Sequence, residues 1–228
     1  PKDETMTPCR RTLLLGLATG LAARPAAAQA APLHRKPIPS SGEMIPIIGL
    51  GSARRYEEAN TEADIAPLRE TFARFQALGG NVVDTAPSYG NAEAIMGRIM
   101  ADLNIRRDLF VCTKVGVDTI EQGRAQIAES FRKLRTEHID LIAVHNLRDI
   151  TNELAYLREL KQAGRIRYVG ATTSFDRQYE AFEAMMRRET LDSIQIDYAL
   201  DNRNAAERII PLAAERGMAV FINLPFGR

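Results

Sequence analysis

The chain has 228 residues and a formal net charge of +1, with 45% hydrophobic residues, 26% charged residues and no tryptophan. That balance suits a globular protein of one large or two small domains, and it gives no electrostatic reason to expect nucleic acid or an acidic membrane surface as a partner. Three histidines and two cysteines are too few for a zinc cluster or a disulfide framework, so no metal site is expected.

The first thirty residues read as a separate segment. Arg10-Arg11-Thr12 precedes the short apolar run Leu13 to Ala18, and Ala28-Gln29-Ala30 supplies small residues at a cleavage position. A charged start, a short apolar core and a small-residue end make an export signal over residues 1–30. Paired arginines before a moderately apolar core resemble the twin-arginine signal, which implies a periplasmic destination and the export machinery as a partner. The run is short, and Arg24 and Pro25 interrupt it, which argues against stable membrane insertion. Loss of residues 1–30 also removes Cys9 and leaves Cys112 alone, in an apolar strand-like run where a buried, inert thiol is expected. Residues 31–42 read as a linker.

From residue 45 onward the chain alternates. Strand-like runs end near Gly51, Asp84, Lys114, His145, Thr173, Tyr198 and Asn223, and helical patterns fill about 63–78, 92–103, 121–134, 151–163, 176–188 and 205–216. Thr151 to Ala163 illustrates the helices: Leu154, Leu157 and Leu160 lie at helical spacing and Gly164 supplies the stop. Repeated strand–helix units imply parallel strands joined by right-handed crossovers. An open doubly wound sheet and a closed barrel both satisfy that rule. The open sheet calls for a glycine-rich phosphate loop, and Gly49-Leu50-Gly51 lacks the third glycine and the immediate helix. A (β/α)8 TIM barrel over 43–228 is therefore the expected fold. Seven of its eight strands are visible, so a C-terminally incomplete barrel is expected.

Four polar residues fall at or just beyond strand ends: Asp84, Tyr89 on the loop that follows it, Lys114 and His145. Each has an ordinary reading, as a turn former, a half-buried aromatic, a solvated charge and a satisfied core histidine. Together they converge, because neighbouring barrel strands open onto one mouth. A phenol is a poor proton donor at neutral pH without assistance. An ammonium beside it, a carboxylate to hold the ammonium and an imidazole to orient a carbonyl oxygen supply that assistance. No acyl-transfer nucleophile accompanies them.

Gly49-Leu50-Gly51, Asp84-Thr-Ala-Pro-Ser-Tyr89-Gly90, Thr113-Lys114, Asp140 to His145 and Ile166 to Gly170 resemble the aldo-keto reductases, over about residues 43–228. The resemblance implies a barrel that uses NADPH, or NADH, to reduce an aldehyde or ketone. It places a catalytic tetrad on Asp84, Tyr89, Lys114 and His145, with Tyr89 protonating the oxygen. It also implies cofactor contacts at Thr172, Thr173, Gln195 and Asn223. Two of these depart from the family pattern, since Thr172-Thr173 stands where the family usually has Ser-Asn and Asn223 where an aromatic commonly stacks on the nicotinamide. An alternative on the same barrel is a non-catalytic nucleotide-binding or sensing module, which those departures favour and the intact tetrad opposes.

Overall fold

The computed structural model describes residues 33–227, so the export signal expected over 1–30 lies outside the described residues. A short antiparallel hairpin comes first, from β1 (Arg35–Pro37) and β2 (Met44–Pro46). Seven strands follow: β3 (Gly49–Gly51), β4 (Val82–Asp84), β5 (Phe110–Val115), β6 (Ile139–His145), β7 (Ile166–Thr173), β8 (Ser193–Asp197) and β9 (Ala219–Asn223). They lie side by side in sequence order, every pair parallel, in a curled half-barrel. The six crossovers carry α1 (Glu62–Ala77), α2 (Ala92–Leu103), α3 (Ile120–Lys133), α4 (Ile150–Gln162), α5 (Tyr179–Arg188) and α6 (Ile209–Glu215).

Two helices are shorter than the periodicity predicts. Residues 176–178 form a 3-10 turn, and so do Asn204–Ala206 ahead of α6. Pro211 explains the second case. An α-helix begun near 205 would place it in the helix interior, where its missing N–H and its ring break an i→i−4 bond. Starting at Ile209 puts it in the first turn, where no donor is needed.

Strand alternation separates two cores. Val83, Val111, Val115, Ile142, Val144, Val169, Ala171, Ile194 and Ile196 face the helices, packing with Phe72, Met96, Ile99, Leu154, Leu157 and Phe182. Val82, Phe110, Cys112, Leu141 and Tyr168 face the barrel interior, joined by Ala219 and Phe221. Cys112 is buried there, and burial pushes its thiol up, as expected for an inert residue.

The interior core is closed from below by the hairpin segment, which contributes Ile38 and Ile45. Phe110 and Tyr168 stack at 5.6 Å above this floor. The Tyr168 hydroxyl meets Ser41 Oγ at 2.8 Å and donates to Glu43, and Arg167 pairs with Glu43 and with Asp140 at 2.9 Å. Residues 31–42, read from sequence as a linker, thus include β1 and, of this plug, Ile38 and Ser41. Pro37, Pro39 and the Ser40-Ser41-Gly42 turn give it a linker's composition, and it is held by pairing with β2 and by the Ser41 contact to Tyr168, 127 residues away.

Candidate active site

The same alternation that buries Val82, Phe110, Cys112, Leu141 and Tyr168 turns Asp84, Lys114, His145 and Thr172 inward at the C-terminal ends of their strands. Pairing aligns Lys114 with Ala143, and His145 with Thr172, Gln195 and Phe221 in one row across four strands. The four expected catalytic residues therefore share one mouth.

Lys114 is the best-defined member. Its Nζ donates to Asp84 Oδ1 at 3.0 Å, to Asp84 Oδ2 at 2.9 Å and to the Thr85 carbonyl at 2.8 Å. The Lys114 side chain is 2% exposed and that of Asp84 25%. Burial pulls the ammonium pKa down, but the Asp84 charge and hydrogen bonds outweigh it, with a further Coulombic contribution from Tyr89, and the net direction is up. The ammonium lies 5.1 Å from the centre of the Tyr89 ring.

Tyr89 sits on the short β4–α2 loop. That loop is braced by the segment after β3: the Asn91 N–H donates to the Glu57 carbonyl at 3.2 Å, and Asn91 Nδ2 donates to Asn60 Oδ1 at 2.6 Å. The His145 ring meets Tyr89 edge to face, with centroids 6.5 Å apart and planes at 87°. Burial first, then the Lys114 charge, lowers the His145 pKa to about 4, with Asp84 opposing and Arg148 adding to the fall. The imidazole is consequently neutral at neutral pH and carries one N–H to donate. Gly116 makes room for it: a Cβ at 116 would stand 2.8 Å from His145 Cβ.

The loop leaving His145 is an unusual piece of backbone. Asn146, Leu147 and Asp149 have φ of 58°, 60° and 41°, a region that costs a non-glycine residue about 1–2 kcal/mol. Arg148 grips Asp118 with two bonds of 2.9 and 2.8 Å and reaches the Gly116 carbonyl, which joins this loop to the one after β5.

The nicotinamide carboxamide has both donors and a carbonyl acceptor, so a matching site needs both as well. Thr172 is 1% exposed, and its Oγ1 has a 3.5 Å contact from Asn223 Nδ2. Gln195, in register beside Thr172, makes no side-chain hydrogen bond among the described residues, and Asn146 Oδ1 is buried without a partner. The Thr172 hydroxyl and the Gln195 and Asn146 amides fit such a head group. Asn223 contributes an amide and no aromatic face. Thr173 does not share the inward face. It lies on the helix side, and its hydroxyl donates to Gln178 Oε1 at 2.5 Å while accepting from the Phe175 N–H at 3.1 Å. The expected pairing of Thr172 and Thr173 on one cofactor is thus split by strand alternation.

Gln178, Gly116 and the Arg148–Asp118 pair were not foreseen. Each acts through backbone placed by tertiary contacts, and no spacing in the sequence marks them.

A model of the aldo/keto reductase family matches residues 47–227. An aldo-keto reductase of Bacillus subtilis is 30% identical over 168 residues, covering 67% of this chain and 50% of that protein. The NADH-specific methylglyoxal reductase of Escherichia coli is 27% identical over 194 residues, covering 73% and 58%. The solved holo-form aldo-keto reductase of Bacillus halodurans superposes with a TM-score of 0.68 at 27% identity, over 83% of this chain and 65% of that one. The chain spans about half the length of the curated relatives it matches. Since the matched region takes in all seven parallel strands and the whole mouth they form, the chain belongs to the aldo/keto reductase family.

Proposed function

We propose that this chain carries the NAD(P)H-dependent reduction of an aldehyde or ketone to an alcohol, with Tyr89 as the general acid. The observation that carries the reading is the buried Lys114 ammonium, clamped by Asp84 and 5.1 Å from the Tyr89 ring. When bound, the nicotinamide supplies the hydride. Thr172, Gln195 and Asn223 would hold its carboxamide end. Neutral His145 donates a hydrogen bond to the substrate oxygen and orients it. Tyr89 gives that oxygen its proton, and the Lys114 charge stabilises the phenolate left behind, in a site where burial strengthens the interaction. Asp84 keeps the ammonium in place.

The Escherichia coli relative, by its name, supports a small carbonyl compound as substrate and NADH as a cofactor to compare with NADPH. The test is turnover of the full chain with either nucleotide and a generic aldehyde, beside Tyr89→Phe. The substitution is expected to lower kcat by about 10²-fold or more while nucleotide affinity stays unchanged. Equal turnover by the two proteins overturns the assignment.

Residues 1–30 support a second part of the proposal, export by the twin-arginine route to the periplasm. That route carries folded proteins, so the nicotinamide nucleotide would leave the cytoplasm already bound. Fractionating cells that express the natural chain and an Arg10→Lys, Arg11→Lys variant tests it: the variant should stay in the cytoplasm. Unchanged export of the variant refutes the route.

A further inference from the structure

His145 has a demanding task and little direct support. Neither ring nitrogen forms a hydrogen bond among the described residues, and the ring is placed by packing on Tyr89 and Gly116. Its position is therefore inherited from the backbone of 145–149, the loop with three left-handed non-glycine residues. Such backbone persists only where its surroundings over-determine it.

The surroundings do so at Asn146. Its N–H donates to the Thr172 carbonyl at 2.8 Å. Its carbonyl accepts from Gln178 Nε2 at 3.2 Å, and Gln178 Oε1 accepts from Thr173 Oγ1 at 2.5 Å. Both backbone polar groups of this one residue are thus tied to β7 and the turn after it. The chain of contacts also fixes the Gln178 amide: reversed, it would set its oxygen against the Asn146 carbonyl, acceptor against acceptor.

We infer that Gln178 is a positioning residue for His145, clamping the Asn146 carbonyl to the Thr173 hydroxyl so that the left-handed turn presents the imidazole to the carbonyl oxygen. In this arrangement Thr173 is the anchor of the clamp. The inference rests on the reading of the chain as a carbonyl reductase.

Gln178→Met keeps the side-chain volume and removes both hydrogen bonds, and Thr173→Val removes the anchor. Each is expected to lower kcat about tenfold, the worth of one net hydrogen bond, with KM and nucleotide affinity unchanged. Each should also speed amide hydrogen exchange across Asn146 to Asp149, and the double variant should do no more than Gln178→Met alone. A purely structural role would lower the unfolding midpoint without this local change in exchange. Unaltered exchange and kcat in Gln178→Met refute the clamp. So does a Thr173→Val protein that loses nucleotide affinity while its exchange is untouched, because Thr173 would then be a cofactor ligand. If the natural chain turns over no aldehyde, the exchange measurement still decides the clamp, and it is the reductase reading that has failed.

Discussion

Asp84→Asn and Lys114→Met remove opposite ends of one ion pair, and the structure makes them unequal. Lys114 is the buried end, 2% exposed at its side chain, and Asp84 is its only counter-charge among the hydrogen-bond partners of its Nζ. After Asp84→Asn the ammonium keeps the Thr85 carbonyl and an amide oxygen, with no opposing charge. An uncompensated buried charge costs about 3–5 kcal/mol. Lys114→Met removes the charge with a chain of similar length and leaves Asp84, a quarter exposed, to be hydrated from the mouth. Thr85 loses one hydrogen bond, so that change costs about 1–2 kcal/mol. Urea unfolding of the full chain at neutral pH should therefore rank Asp84→Asn as the less stable by about 2 kcal/mol, with neither variant retaining turnover. The pH dependence gives an independent sign. In the natural chain the Lys114 pKa is raised on folding, since the Asp84 pairing outweighs burial. The stabilisation is then fully present below the unfolded value near 10.4 and is lost as pH rises through the folded one. In Asp84→Asn burial, the largest influence, is no longer opposed by the carboxylate but only by the lesser Tyr89 and Cys112 contributions, so that variant should gain stability relative to the natural chain as pH rises towards 10. A Lys114→Met protein at least as unstable as Asp84→Asn, or an Asp84→Asn protein that weakens further in alkali, refutes the reasoning.

His145, lowered to about 4, takes up a proton more readily unfolded than folded, so stability should fall as pH drops from about 6.5 towards 4. The loss should be at most about 3 kcal/mol and absent in His145→Gln, and an NMR titration showing an ordinary imidazole would contradict it. Glu153 is fully buried, with both carboxyl oxygens unpartnered among the described residues, and burial, then Asp149, raises it to about 7 against the pull of Arg124. The folded state holds its proton between about 4.5 and 7, so stability is lost as pH rises through that window. Glu153→Met should stabilise by about 1–2 kcal/mol at pH 8 and by much less at pH 5; urea midpoints at the two pH values check it, and equal effects would remove the titration from the explanation. Gly116→Ala brings a methyl within 2.8 Å of His145 Cβ and should cut kcat about ten- to a hundredfold with little change in unfolding midpoint. Unchanged kcat there would mean that the ring tolerates the displacement.

The barrel was legible because each parallel strand is a short apolar run broken by a polar residue where it reaches the mouth. Val83-Asp84, Thr113-Lys114 and Val144-His145 announce both the strand and its end, and adjacency of successive strands then brings the polar residues together. Loops were harder. Asn146 and Asp149 are residue types that tolerate left-handed backbone, but Leu147 is not, and the contacts that tie the loop down, Thr172 and Gln178 on Asn146 and Asp118 on Arg148, come from other strands and loops. The split between Thr172 and Thr173 was implicit in strand alternation, but the family pattern treats the pair as one unit and hides it. Nothing in the sequence of α4 marks Glu153 as a buried residue. Its burial follows from Gly123 on α3, where a Cβ would stand 1.9 Å from Glu153 Oε1 and the missing side chain lets the carboxyl in.

The plug beneath the barrel bears on the order in which the chain matures. Ser41 and Glu43 close onto Arg167 and Tyr168, contacts that span 124 to 127 residues. The β1–β2 hairpin is among the first parts of this region to be synthesised, yet its seat does not exist until β7 has been made. Until then Ile38, Ile45 and Phe110 lack the Tyr168 ring that completes their shelter, and a nascent chain halted before that point presents them to chaperones and proteases. Docking of the plug thus reports that synthesis has passed the middle of the barrel.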